Sequence, residues 1–307
     1  MGRGVVLGLL VGVGGVSAAA FQQPAAAPQE KVVTVEKVKD NLFVMRGGGG
    51  NSAVFITATG VVVVDTKNPG WGQPLLDMIK TVTDKPVTMI INTHTHGDHV
   101  SGNVEFPVNV DIVTHETTKS NMEAMRPVTG LQSGPQPNIF KENNGKGLPK
   151  RTFKDTMTIG KGAEQIDLHY FGRAHTGGDA YVVFPALRVM HVGDTFPNKA
   201  LPIMDANNGG SGVDYAGTLT KAAGVKGVDT IINGHMPTQT TPAELTEYAA
   251  FVREFVTAVQ TAKKAGKTPE DVAKSWSTPA TFAGNGYGPA DAKRVMADAQ
   301  VIWDEIK

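Results

Sequence analysis

The segment Asn92-Thr93-His94-Thr95-His96-Gly97-Asp98-His99 gathers three imidazoles and a carboxylate within six residues. Neutral imidazole nitrogen and carboxylate oxygen are the donors that hold Zn²⁺ and related divalent ions where thiolates are absent. This chain of 307 residues has no cysteine, which also excludes disulfides, iron-sulfur clusters and a cysteine nucleophile. His94 and His96 alternate, so on extended backbone they point to one side, while Asp98 and His99 turn toward a second position nearby. One ion cannot take four donors so closely spaced on one loop without strain, so the spacing predicts two metal positions. With 8 histidines in the whole chain, three in six positions argue against a chance group of solvated side chains.

The elements that must carry these residues alternate between strands and helices. Val87 to Ile91 reads as the strand that delivers the histidine segment. Val61-Val62-Val63-Val64-Asp65 is an apolar run ending in a carboxylate, the pattern of a strand buried on both faces. Earlier strands are expected at Val32 to Val35, Leu42 to Val44 and Ala53 to Ile56, with Gly47 to Gly50 as a turn. No Lys-Ser/Thr follows those glycines and a strand comes next, so they are not read as a phosphate loop. Gln73 to Thr83 reads as an amphipathic helix, with Leu75, Leu76, Ile79 and Val82 on one side. Further strands are expected at Val110 to Val113, Gln165 to Phe171, Ala180 to Phe184, Leu187 to Val192 and Thr230 to Ile232. Arg126 to Lys150 is rich in Gly, Pro, Asn and Gln and reads as a long loop. Thr241-Pro242-Ala243-Glu244 is a capping box with proline at the first helical position. It opens a long helix through Leu245, Tyr248, Val252, Phe255, Val259 and Ala262. Thr268-Pro269-Glu270-Asp271 and Gly288-Pro289-Ala290-Asp291 start two more.

The motif at His94 to His99 resembles the H-x-H-x-D-H signature of the metallo-β-lactamase-fold hydrolase superfamily. Four further segments are similar to that family in order. They are Gly172-Arg173-Ala174-His175-Thr176-Gly177-Gly178-Asp179, Gly193-Asp194, Gly234-His235, and Asp65 at its strand end. Arg173-Ala174 stands between Gly172 and His175, where the commonest form has Gly directly before His. The resemblance spans roughly Val32 to Thr240 and implies an α+β fold, a four-layer αββα sandwich, here with a helical C-terminal extension. It implies that His94, His96 and His175 hold a first metal, that Asp98, His99 and His235 hold a second, and that Asp194 bridges them. Asp65 is implied as an acceptor that fixes a ligand imidazole or the loop carrying it. The cofactor expected is two Zn²⁺, with Fe or Mn as substitutes.

Zinc lowers the pKa of bound water to about 7, so a bridging hydroxide can act as nucleophile without Ser or Cys. The expected reaction is attack of that hydroxide on an ester, thioester, lactone or lactam carbonyl of a small molecule, with Asp98 orienting it and relaying its proton. Aspartate at position 194 resembles thioesterase, lactonase and glyoxalase II-like members more than lactamases, which tend to carry Cys or Ser there. A metallo-β-lactamase is the next reading, and a persulfide dioxygenase-like oxidoreductase with one iron the third. Equal numbers of basic and acidic residues, 29 of each, give no electrostatic reason for a nucleic-acid or anionic-membrane partner. Oligomeric state is left open.

Residues 1–20, with Arg3, an apolar stretch from Val5 to Val16 and Ala18-Ala19-Ala20, have the layout of a cleaved signal peptide. The stretch is shorter than the ~20 residues a membrane span needs. Export to the periplasm or medium is therefore expected, with no stable membrane anchor. Residues 21–31 read as a flexible linker, 32–240 as the catalytic domain and 241–307 as a helical extension packed on it. His115, His169 and His191 are expected to be structural. Lys199 is a candidate for a substrate carboxylate or a solvated lysine, Trp71 and the 126–150 loop are candidates to line the substrate groove, and Met122 and Met125 are expected to pack.

Overall fold

The computed structural model describes Met1 and residues 30–307. The expected signal peptide and nearly all of the linker lie outside the described residues. Strands follow where β-branched and aromatic residues run between Gly, Pro and Asn turns. The first sheet has seven in chain order: β1 (Thr34–Lys39), β2 (Leu42–Arg46), β3 (Ser52–Ile56), β4 (Val61–Val64), β5 (Val87–Ile91), β6 (Asp111–His115) and β7 (Arg151–Phe153). β1 to β4 are antiparallel, and β4 to β7 are parallel. The second sheet has five: β8 (Thr156–Ile159), β9 (Ile166–His169), β10 (Tyr181–Phe184), β11 (Val189–His191) and β12 (Thr230–Ile232), with β11 and β12 parallel.

Side-chain alternation sorts the core into layers. Val62 and Val64 face the second sheet and meet Leu42, Phe55, Ile91, Leu168, Val182 and Phe184 in the central layer. Phe55 and Phe184 touch across it with ring centroids 5.1 Å apart. Val61 and Val63 face the other way, onto Leu75 and Ile79 of α1 (Gly72–Lys80). The run buried on both faces in the sequence is therefore buried on both faces in the fold. On the far side of the second sheet, Tyr181, Val183, Met190 and Ile231 pack under α5 (Gly212–Ala223), α6 (Pro242–Lys264) and α9 (Ala292–Glu305). Each fully buried Leu, Ile, Val or Phe contributes roughly 1.5–3 kcal/mol. The four layers are thus helix, sheet, sheet and helix, the αββα sandwich expected.

The capping boxes at Thr241–Glu244 and Thr268–Asp271 both form, opening α6 and α7 (Pro269–Ser275). Asp291 caps α9 by accepting from the Lys293 N–H, and a single turn, α8 (Ala280–Ala283), lies between. Several elements were not expected. α2 (Gly97–Val100) is a single turn, and α3 (Glu116–Ala124) is so polar that no apolar stripe shows. α5 carries Gly212 and Gly217, which interrupt its apolar pattern, although Ser211 caps it through the Asp214 N–H. β7 and β8 have three and four residues, too few for period-two alternation to register. The 126–150 stretch corrects the reading of a plain loop: it contains α4 (Ile139–Glu142), whose Phe140 is buried with Val100, Val104 and Met122.

Candidate metal centre

The site lies along one edge of the two sheets, where strand ends release loops. β5 leads into a bend at Thr93–Thr95 that carries His94, His96 is extended at the start of α2, and α2 then carries Asp98 and His99. His175 follows β9, Asp194 sits on the short turn after β11, and His235 follows β12. Parallel pairing of Val64 with Ile91 brings Asp65 level with Asn92, so that its carboxylate reaches Thr93, and the Asp65 N–H donates to the Ile91 carbonyl at 2.9 Å. Asp65 turns there with φ 62°, an uncommon left-handed conformation for a non-glycine residue. Two glycines open the space. A Cβ on Gly50 would meet the His99 ring at 2.1 Å, and one on Gly234 would meet Asp194 Oδ1 at 1.9 Å.

Four of the five imidazoles have one nitrogen fixed by a neighbour and the other turned inward. His99 Nδ1 is 2.7 Å from Asp65 Oδ2. Asp65 also accepts from the Thr93 N–H at 2.8 Å and the Thr93 hydroxyl at 2.6 Å. With that hydroxyl proton committed, Thr93 Oγ1 accepts from His94 Nδ1 at 2.9 Å. His175 Nδ1 donates to the Ile203 carbonyl at 2.8 Å, and His96 Nε2 pairs with Asp205 Oδ2 at 2.8 Å. His235 Nε2 stands 3.1 Å from Asp194 Oδ2 and 3.4 Å from Asp98 Oδ2.

The inward atoms form two groups. His94, His96, His175 and Asp194 present donor atoms within 4.8 Å of one another, and so do Asp98, His99 and His235. Asp194 stands between them, with Oδ1 3.2 Å from His99 Nε2 and Oδ2 3.9 Å from His175 Nε2. A cation fits this donor set. His96 Nδ1 and His175 Nε2 are 2.9 Å apart, and the outward bonds of both rings leave lone pairs facing each other, which repel unless positive charge lies between them. His94 Nε2 is buried with no hydrogen-bond partner among the described residues, as is Asp194 Oδ1.

Burial, then the neighbouring imidazoles, hold His94 well below its ordinary pKa, and burial with His96 brings His175 down to about 3. These rings stay neutral, the form that ligates. Burial also opposes charge on His99, but Asp194, Asp98 and Asp65 outweigh it and raise its pKa. The side chains of His235 and Asp98 are 33% and 30% exposed while that of His99 is fully buried, so the second group opens to solvent. A cavity of about 440 Å³ meets this end, floored by His96, Asp98, His175, Asp194 and His235 and walled by Leu131, Leu201 and Ile203. A second cavity of about 430 Å³ adjoins it at His96, walled by Gln132, Gln136 and Ile139. Residues of the 126–150 segment thus line the groove.

Trp71 does not line either cavity; it packs with the α1 layer. Lys199 donates to the Asn285 carbonyl and pairs with Glu244, which takes it away from a substrate role. His115 bonds the Lys154 carbonyl and stacks on Tyr170, His191 bonds the Asn51 carbonyl, and His169 stacks on Phe171. Met122 is buried beside Phe140 with Met125 packed against that cluster, although Met125 also reaches the second cavity. Sequence reasoning missed Asp205, which lies 109 residues from His96 with no local pattern to mark it. It also missed Lys67, fully buried, whose ammonium donates to the Met45 and Gly50 carbonyls at 2.6 and 2.5 Å and ties down the glycine turn beside His99. Burial lowers its pKa to about 7.

Residues 45–235 match the family model described as metallo-beta-lactamase superfamily. A metallo-beta-lactamase from Chryseobacterium indologenes is 27% identical over 183 residues, 55% of this chain and 68% of that protein. Among solved structures, a metallo-beta-lactamase from Pontibacter korlensis superposes with a TM-score of 0.57 at 19% identity, covering 72% of this chain and 99% of that one. A stereoselective inverting sec-alkylsulfatase from a Pseudomonas species superposes with a TM-score of 0.68 at 15% identity, covering 90% of this chain and half of that one. At these identities the two structures speak to the fold alone. The family match spans the histidine segment, His175, Asp194 and His235, and the chain belongs to the metallo-beta-lactamase superfamily as a metal-dependent hydrolase.

Proposed function

We propose that this protein is an exported dinuclear zinc hydrolase that opens an ester, thioester, lactone or lactam bond of a small molecule. The observation that carries the reading is the convergence of five imidazoles and two carboxylates into two adjoining donor groups around Asp194. His94 Nε2, His96 Nδ1 and His175 Nε2 would hold one ion, Asp98, His99 and His235 the other, and Asp194 both. When bound, such ions supply a hydroxide at neutral pH and polarise the carbonyl under attack. Asp98, at the open end, orients the nucleophile and accepts its proton. Asp65 keeps His99 and, through Thr93, His94 in the ligating tautomer. The leader at residues 1–20 would direct export, and no helix among the described residues is long and apolar enough to cross a membrane. Residues 32–240 would carry the chemistry, with 241–307 bracing the second sheet.

A lactam substrate is the second reading, favoured by the sequence likeness to the Chryseobacterium enzyme. Aspartate at position 194 favours the ester, thioester and lactone group instead. A panel of nitrocefin, a homoserine lactone, S-lactoylglutathione and a p-nitrophenyl ester on zinc-reconstituted protein separates these. Nitrocefin turnover far above the rest would move the assignment to lactamase. Metal analysis of protein grown in defined medium tests the cofactor, since one iron per chain with oxygen uptake would point to dioxygenase chemistry.

A further inference from the structure

Asp205 is a buried carboxylate whose two oxygens face different parts of the molecule. Oδ2 pairs with His96 Nε2 at 2.8 Å and accepts from the Asn208 amide at 2.6 Å. Oδ1 accepts from the Thr129 N–H at 3.0 Å and the Thr129 hydroxyl at 2.9 Å. Thr129 lies between Val128, which lines both cavities, and the stretch through Leu131 and Gln132 that walls the open one. A second tie reinforces the first: the Asn207 N–H donates to Thr129 Oγ1, and the Asn207 amide donates to the Pro127 carbonyl. The backbone around Asp205 is itself pinned to the site, because its N–H donates to the His175 carbonyl at 3.0 Å.

We propose that Asp205 is a positioning residue that fixes His96 with Nδ1 toward the donor cluster and anchors the roof of the substrate cleft to that imidazole. The chemistry is directional. A carboxylate accepts only, so His96 Nε2 must carry the proton and Nδ1 is left free to ligate. An amide at 205 can still accept from Thr129 with its oxygen, but its NH₂ then faces His96 Nε2. That reverses the tautomer and puts a proton where the lone pair is needed. The roof and the metal donor set are therefore registered to one side chain, which rests on the metal-centre reading above.

Two variants separate the halves. Asp205→Asn should keep the roof in place and lower zinc affinity by about 10- to 100-fold, read by competition with a chromophoric chelator. Its His96 ¹⁵N shifts in zinc-free protein should move from the Nε2–H to the Nδ1–H pattern. Thr129→Val should leave zinc affinity within about twofold of wild type and speed amide exchange over residues 126–137, read by hydrogen-exchange mass spectrometry. Wild-type protein that takes up no zinc would remove the metal-centre reading itself. Wild type that binds zinc, with Asp205→Asn binding equally well and keeping its tautomer, would overturn the positioning role. Unchanged exchange in Thr129→Val would overturn the anchoring of the roof.

Discussion

Glycine 234 does as much for the site as a ligand, since its missing side chain is the space that Asp194 occupies. Gly234→Ala would set a Cβ 1.9 Å from Asp194 Oδ1. The expected outcome is loss of at least about tenfold in zinc affinity, with the circular dichroism of the fold retained, measured by the same chelator competition. Asp98→Asn keeps the volume but would replace the carboxylate that the proposed function uses to help hold the second ion and to accept a proton at the open end. A fall in kcat of about 100-fold or more on the best substrate of the panel is expected. At this scale the sequence was most readable where chemistry is local: three histidines and an aspartate on one loop declare themselves, and so does a carboxylate ending an apolar strand. Asp205 and Thr93 were not readable. An Asp before a short irregular turn and a Thr after a strand are ordinary, and their meaning comes from contacts across the fold.

Phe140 shows the same limit for elements. A single helical turn inside a stretch of Gly, Pro and Asn carries no periodicity, yet its ring is fully buried against Val100, Val104 and Met122. Phe140→Ala should release the roof, costing on the order of 3 kcal/mol locally, and limited proteolysis should then cut within 126–150 while the core resists. Strong caps and long apolar stripes made α6 readable, whereas α3 and α5 took their helicity from packing and from caps at His115 and Ser211. α9 carries a different signal. Burial raises the Asp298 pKa from 3.8 to about 7, against the opposing pull of Arg294. The native state then keeps this proton between those values while the unfolded chain has released it. The stability it contributes is therefore full below pH 4 and is lost as pH rises through 7. Asp298→Asn should flatten that part of the stability profile, by on the order of a few kcal/mol, in urea denaturation at pH 5 and pH 8.

At the scale of the molecule, the αββα order was legible only through the resemblance carried by the ordered His and Asp motifs, because strands such as Val61–Val64 are apolar on both faces and do not say which layer each face meets. The pairing order was not, since it depends on contacts between strands far apart in sequence. Chelation of bound metal should lower the melting temperature as well as abolish turnover, because ions that bind the folded state alone stabilise it by mass action. The way the two sheets divide the chain sharpens this. β1 to β7 end at Phe153 and β8 to β12 begin at Thr156, so each sheet is one continuous stretch of sequence. His94, His96, Asp98 and His99 follow a strand of the first stretch, and His175, Asp194 and His235 follow strands of the second. Neither stretch holds a full donor group, apart from Asp65 with His94 and His99. The Lys154-Asp155 turn is thus a natural break point: two fragments divided there would rejoin through the central apolar layer, and on the proposed metal reading their complementation would tighten as zinc is added.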